Sequence, residues 1–230
     1  MHEIADVGLV IFDCDGVVVD SELLAIKVMQ EGLAERGVVM RLDEVSENFL
    51  GRSQATIAAV LKRDFDLELD AAAEAMMRER LFGLLRKELK AIDGVELFLR
   101  QLPVPYCLAS SSQMERIETS LRATGLSDLF AGRIFNAAMV ARGKPAPDLF
   151  LHAAAKMNVP PERCVVIEDS PAGIEAGRRA GMCVIGFIGG GHATSPAHRR
   201  SVAEAGPDFI SDTMADVAAL FDFVPLASAR

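Results

Sequence analysis

Apolar positions along the chain fall into two kinds of run. Leu9-Val10-Ile11-Phe12, Tyr106-Cys107-Leu108-Ala109, Cys164-Val165-Val166-Ile167 and Cys183-Val184-Ile185-Gly186-Phe187 are short, continuous and bounded by turn-type residues. That is the pattern of strands buried on both faces, as in a parallel sheet. Arg133-Ile134-Phe135 and Asp208-Phe209-Ile210 predict two shorter strands. Between these runs the apolar positions recur at helical spacing. Asp20 or Ser21 can cap a helix that runs through Leu24, Val28 and Leu33 to a stop at Gly37. Further helices are predicted over residues 42–50, 54–64, 70–89, 95–101, 114–124, 148–157, 172–180 and 213–221, several of them ended by a glycine. The stretch 70–89 is rich in Ala, Met, Leu, Arg and Glu, all good helix formers.

Strands that alternate with helices imply a parallel sheet joined by right-handed crossovers. The alternation breaks between the first strand and Gly94, where the pattern is helical throughout. The expected fold class is therefore α/β, a Rossmann-like parallel-sheet core of residues 1–20 and 91–230 with an all-helical cap domain, residues 21–90, inserted after the first strand. The cap leaves and returns at one sheet edge, so it should hang over that edge.

Composition narrows the partners. The chain has 230 residues, half of them hydrophobic, which suffices for a sizeable core. A net charge of −9 argues against a nucleic-acid or anionic-membrane surface, and any anionic substrate needs local cations. No apolar run approaches the roughly 18 residues of a membrane span, and the first residues lack the basic-then-apolar layout of a signal peptide. A cytoplasmic protein is expected. Cys14, Cys107, Cys164 and Cys183 show no Cys-x-x-Cys spacing and sit in or beside apolar runs, as buried reduced thiols do. Gly189-Gly190-Gly191-His192 lacks a following Gly-Lys-Ser/Thr pattern and reads as a flexible loop. His192 and His198 have no partnered metal spacing, and His2 and His152 read as surface or packing residues.

Candidate chemistry collects at the strand ends. In an open α/β sheet the carboxyl ends of the strands are where ligands bind. Asp13 and Asp15 follow the first strand, and alternation starts their side chains on the same side before Gly16 lets the chain turn. Two such carboxylates require a cation, or leave one protonated as an acid, and an Asp carboxylate is a competent nucleophile toward phosphorus. Ser110 ends the second strand with a hydroxyl and helix-start amides behind it, Lys144 lies in a loop stiffened by Pro145 and Pro147, and Glu168 and Asp169 offer hard oxygen ligands suited to Mg²⁺. Singly, each is an ordinary turn or cap residue. Together, each at the end of its own element, they describe a phosphoryl-transfer site.

The set Asp13-Cys14-Asp15-Gly16, Ser110, Lys144 and Glu168-Asp169 resembles the four motifs of the haloacid-dehalogenase-like hydrolases, over nearly the whole chain. Val18-Val19-Asp20-Ser21-Glu22, Gly143-Lys144-Pro145-Ala146-Pro147-Asp148 and Asp169-Ser170-Pro171-Ala172-Gly173 are similar to the phosphatase and β-phosphoglucomutase branch with a helical cap, and within it to sugar-phosphate phosphatases of the 6-phosphogluconate type. The resemblance implies a Mg²⁺ ion held by Asp13, the backbone carbonyl of Asp15, Asp169 and Glu168. It implies Asp13 as nucleophile and Asp15 as general acid/base. Ser110, Lys144 and the backbone N–H groups near Gly16 and Ser111 would hold the phosphate. Substrate selection would fall to the cap, at Gly51, Arg52 and Gln54 and, on the long cap helix, Arg78. The implied partner is a small phosphorylated metabolite, with no nucleic acid or membrane, and the chain would be a monomer or homodimer. Alternatives are a phosphomutase, against which Ala25 stands where the sugar mutases carry a histidine, a dehalogenase, for which Asp15 would be superfluous, and a non-catalytic binding domain. Alternation turns Cys14 away from the two aspartates, into a packing role.

Overall fold

The computed structural model describes residues 4–49 and 54–221. Among these, six parallel strands form one sheet in the order β3-β2-β1-β4-β5-β6, with β1 at Leu9–Phe12, β2 at Tyr106–Ser110, β3 at Ile134–Asn136, β4 at Cys164–Glu168, β5 at Cys183–Phe187 and β6 at Phe209–Ser211. All four residues of β1 are fully buried. The strand pairs Phe12 with Leu108 on one side and with Ile167 on the other.

Alternation along the strands divides the core into two layers. Val10, Phe12, Leu108, Val165 and Ile167 face one way, where α5 (Val95–Gln101), α6 (Met114–Ala123) and α10 (Met214–Ala219) cover them with Phe98, Ile117 and Val217. Leu9, Ile11, Cys107, Ala109 and Val166 face the other way, under α7 (Asp148–Lys156), α8 (Pro171–Arg179) and α9 (Pro196–Glu204), which contribute Phe150, Ile174 and Val202. Phe12 takes edge-on contacts from Phe98, Tyr106 and Phe130 at ring-centroid distances of 5.9 to 6.3 Å, which centres the first layer on β1. The chain builds outward from β1 through β2 and β3, then crosses back to place β4 on the other side of β1. The reversal of strand order therefore lies at β1 and β4, the position at which open α/β sheets bind ligands.

Between β1 and β2 run α1 (Glu22–Ala34), α2 (Leu42–Phe49), α3 (Gln54–Phe65) and α4 (Ala71–Glu88). They enclose a small apolar cluster of their own, built on Ile26, Leu33, Val45, Phe49, Val60 and Leu61. The Asp70 carboxylate caps α4 by accepting the Ala73 N–H at 2.7 Å. The chain crosses between core and helices twice, side by side: the Asp20 N–H donates to the Lys90 carbonyl and the Ile92 N–H to the Val18 carbonyl, each at 3.0 Å.

Three differences from the sequence reading bear on the site. Strands β2 and β4 run one residue further, so Ser110 and Glu168 are the last residues of their strands. Helix α9 was not expected, because Val202 is its one buried side chain and it carries almost no apolar stripe. The Gly189-Gly190-Gly191 stretch is packed in place and not a loose loop. The Gly191 N–H donates to Asp20 Oδ1 at 3.0 Å, and residues Gly191–Thr194 form a 3₁₀ turn. Among the described residues no helix is long and apolar enough to cross a membrane.

Candidate active site

Asp13 follows β1 directly, and its N–H donates to the Ile167 carbonyl at 3.0 Å, so β4 fixes the height at which its carboxylate leaves the sheet. Lys144 arrives from the loop before α7. Its Nζ donates to Asp13 Oδ1 and Glu168 Oε1, both at 2.6 Å, and to the Ala109 carbonyl at 3.0 Å, and it lies 4.9 Å from the centre of the Phe150 ring. The Lys144 side chain is 4% exposed. Burial alone would lower its pKa, but the Asp13 and Glu168 carboxylates outweigh that and hold the ammonium.

Glu168 is oriented from its other oxygen, Oε2, which accepts the Ser170 N–H at 2.8 Å and the Ser170 hydroxyl at 2.9 Å. Gly173 makes room for it, since a Cβ there would stand 1.8 Å from Glu168 Oε1. Gly16 does the same for Asp169. Its φ of +80° closes the turn after Asp15, and a Cβ would lie 2.1 Å from Asp169 Oδ2. The Gly16 N–H donates to the Val19 carbonyl at 2.8 Å.

One oxygen from each of Asp13, Glu168 and Asp169 lies within 4.8 Å of the others, and all three residues are buried. Burial pushes the Asp13 carboxyl well up, Lys144 opposes that, and Glu168, Asp169 and Asp15 add to it. Asp169 is also pushed well up, by burial and then by Glu168. With Asp15, four carboxylates crowd a space that two cations, Lys144 and Arg116, serve. The trio therefore fits a divalent cation bound through hard oxygen atoms, which would allow all of them to ionise.

Asp15 has a different environment. Its carboxylate accepts from the Ser21 hydroxyl, from Ser112 Oγ at 2.6 Å and from Arg116 Nη2 at 2.7 Å. Burial acts to raise its pKa, but the Arg116 charge and the Ser112 and Ser21 hydrogen bonds win, and the group is held below the ordinary aspartate range. Arg116 also stands 3.9 Å from Glu22, at the start of α1. Burial, offset in part by Arg116, pushes the Glu22 carboxyl up to about 7.

The expected residues divide accordingly. Asp13, Asp15, Lys144, Glu168 and Asp169 converge. Ser110 is buried beside them and its Oγ accepts the Ser112 N–H at 3.0 Å, while Ser111 lies exposed on the same turn. Arg78 pairs with Glu115 on α6 and stands over the Phe82 ring at 5.3 Å, which joins the helical block to the core. Gly51 and Arg52 lie outside the described residues, and of Gln54 only the backbone, at the start of α3, is described. Cys14 is buried in the core layer with Val17 and Val18, and all four cysteines are free thiols.

Sequence reasoning missed Ser21, Ser112 and Arg116 around Asp15, and His192 beside Asp169. The His192 Nε2 lies 2.9 Å from Asp169 Oδ2, and its ring packs edge-on to His198 with centroids 4.6 Å apart. Burial lowers the pKa of both, that of His198 to about 4, so both rings are neutral near pH 7. The available signal was steric: a Cβ on Gly16 would stand 2.9 Å from the His192 ring and one on Gly190 2.8 Å from it. His152 packs against Phe135 at 5.7 Å, and His2 lies outside the described residues.

Residues 7–181 match the family model of haloacid dehalogenase-like hydrolases. The chain is 31% identical over 190 residues to a 6-phosphogluconate phosphatase of Escherichia coli strain K12, covering 82% of this chain and 86% of that protein. It is 31% identical over 179 residues to hexitol phosphatase A of the same organism, covering 76% and 80%. A solved haloacid dehalogenase-like protein of Agrobacterium tumefaciens strain C58 superposes with a TM-score of 0.85 at 38% identity, over 93% of this chain and 97% of the other.

Proposed function

Because the chain belongs to the haloacid dehalogenase-like hydrolases, we propose that it is a Mg²⁺-dependent phosphatase of small phosphorylated metabolites, with sugar phosphates as the substrate class. The observation that carries this reading is the meeting of Asp13, Lys144, Glu168 and Asp169 at the point where the strand order reverses. Asp13, Asp169, Glu168 and the Asp15 backbone carbonyl would hold the ion, which when bound offsets the negative charge of site and substrate.

Asp13 attacks phosphorus. The bond from phosphorus to the ester oxygen breaks as the new one to the Asp13 carboxylate forms, and Asp15 gives the departing alcohol its proton. Water then attacks the aspartyl-phosphate, Asp15 takes the water's proton, and inorganic phosphate leaves with Asp13 restored. Asp15 is tied to Arg116, Ser112 and Ser21 in its ionised form, the form the second step needs. For the first step it exchanges these partners for the leaving oxygen and gives up the proton that it took from the attacking water in the preceding turnover. Lys144, Ser110 and main-chain N–H groups around Gly16 and Ser111 hold the non-reacting phosphate oxygens.

We read residues 21–90 as the cap that covers this edge, and the substrate as a metabolite and not a nucleic acid or membrane lipid, since a net charge of −9 leaves anion attraction to the site itself. A cytoplasmic setting accords with the four free thiols. Ala25, half-buried on α1, supplies no second acid/base and favours hydrolysis over a phosphomutase reaction. The test is phosphate release from 6-phosphogluconate, hexitol and hexose phosphates and phosphoglycolate, with Mg²⁺ or with EDTA. Mg²⁺-dependent turnover of at least one sugar phosphate is expected. No turnover of any ester, or isomerisation of glucose 1-phosphate without phosphate release, would overturn the reading.

A further inference from the structure

Two histidines beside the proposed catalytic centre take no part in that chemistry. His192 stands on the 3₁₀ turn after β5 and His198 in the first turn of α9. The two meet because Ser195 Oγ accepts the His198 N–H and so starts the helix back over the turn. The His192 side chain is completely buried, and neither of its ring nitrogens has a hydrogen-bond partner among the described residues; Nε2 of His198 is likewise shielded from water and unpartnered. Unpartnered buried nitrogens are rare because each loses its hydration without replacement.

Contact with Asp169 does not satisfy them. Asp169 Oδ2 is 2.9 Å from His192 Nε2, yet the pair lacks hydrogen-bond geometry. One donor atom from each of Asp169, His192 and His198 lies within 4.8 Å of the other two. Donors bound to one ion at about 2.0–2.1 Å, at right or tetrahedral angles, stand about 2.8–3.4 Å apart. A carboxylate beside the ring nitrogen, off its N–H direction, is where a second ligand of a shared ion belongs.

We propose that Asp169, His192 and His198 form a second cation site, for a borderline divalent transition ion of the Zn²⁺ class. Two imidazoles and one carboxylate suit such an ion, whereas the all-oxygen set of Asp13, Glu168 and Asp169 suits Mg²⁺. Asp169 belongs to both sets, so Zn²⁺ on the histidine side withdraws a ligand from the Mg²⁺ side and inhibits hydrolysis. That kinetic consequence rests on the phosphatase reading; the binding itself does not.

The experiment titrates metal-free, full-length protein with Zn²⁺ against a chromophoric chelator, without substrate, and repeats the titration on His198→Ala, His192→Gln and Asp13→Asn. His198 lies nearer the surface than His192, so His198→Ala supplies the variant that keeps its fold. Wild type should bind one tight equivalent, His198→Ala should weaken that equivalent by at least about 100-fold, and Asp13→Asn should bind as wild type does while losing hydrolysis. In the presence of Mg²⁺, His198→Ala should need at least about tenfold more Zn²⁺ than wild type for half-inhibition. Equal Zn²⁺ affinity in wild type and His198→Ala, or tight binding lost in Asp13→Asn alone, would overturn the site. Tight Zn²⁺ binding in a chain that hydrolyses no phosphate ester would leave this site standing and remove the phosphatase reading.

Discussion

At the carboxyl edge of the sheet, Lys144 is clamped between Asp13 and Glu168, and Glu168 is clamped in turn by Ser170; Asp13 and Glu168 are buried at strand ends, and the buried Lys144 side chain reaches them from the loop before α7. In the helical block the ionic contacts are of another kind. Arg80, half-buried, pairs with the exposed side chains of Glu31 and Glu35, and Lys62 with Asp66 and Glu68 lies in solvent, around a small apolar cluster. Exposed pairs of this sort contribute about 0–1 kcal/mol each, whereas removing one partner of a buried pair costs about 3–5 kcal/mol. Charge arrangement is thus rigid where phosphorus would react and adjustable where substrates would be told apart. Arg116 stands at the boundary, reaching Asp15 on one side and Glu22 on the other.

The sharpest way to break this contrast is Asp13→Asn. It should lower kcat by at least about 10⁴-fold, as loss of an enzymic nucleophile does, with an unaltered circular dichroism spectrum. Lys144→Met comes next. It should lower kcat/KM by about 10²–10³-fold. It should also lower the Tm in EDTA, with recovery on adding Mg²⁺, because Asp13 and Glu168 then lack their buried cation. Asp15→Asn should slow alkyl phosphates by about 10²–10⁴-fold but aryl phosphates, whose leaving groups need no proton, far less in the first step. Equal loss on both would move the acid elsewhere.

Smaller effects belong to the boundary. Arg116 holds the Asp15 pKa down, so Arg116→Met should raise it and carry the alkaline limb of the alkyl-phosphate pH profile to higher pH. An unmoved limb would deny that Asp15 is the titrating acid. Burial raises the Glu22 carboxyl to about 7, so its contribution to stability is most favourable below its unfolded value and is lost as pH rises through 7. Glu22→Gln should therefore raise the Tm at pH 8 more than at pH 5, by about 2–4 °C for each kcal/mol relieved. Thermal melts at the two pH values check the sign.

Much of this was legible from local pattern. The run Leu9 to Phe12 had to be a doubly buried strand, Asp13, Ser110 and Asp169 could be placed because each ends or follows a strand that the pattern marks, and Lys144 because its proline-stiffened loop opens a helix. What stayed hidden depends on approach in space. Arg116 is an ordinary helix-face cation until α6 packs beside Asp15, and Ser21 looks like a helix cap although its hydroxyl serves Asp15. Helix α9 escaped because hydrophobic periodicity needs more than Val202 to register. His192 and His198 lie six residues apart with no metal-ligand motif, and only the turn between β5 and α9 brings them to Asp169.

The central claim, that Asp13 becomes covalently phosphorylated, is tested most directly by acid-quenching the enzyme during Mg²⁺-dependent turnover and measuring the mass of the peptide that carries Asp13. A peptide heavier by one phosphoryl group, in wild type and not in Asp13→Asn, is the predicted result. Active turnover with that peptide unmodified, or with the phosphoryl group on another residue, would contradict it.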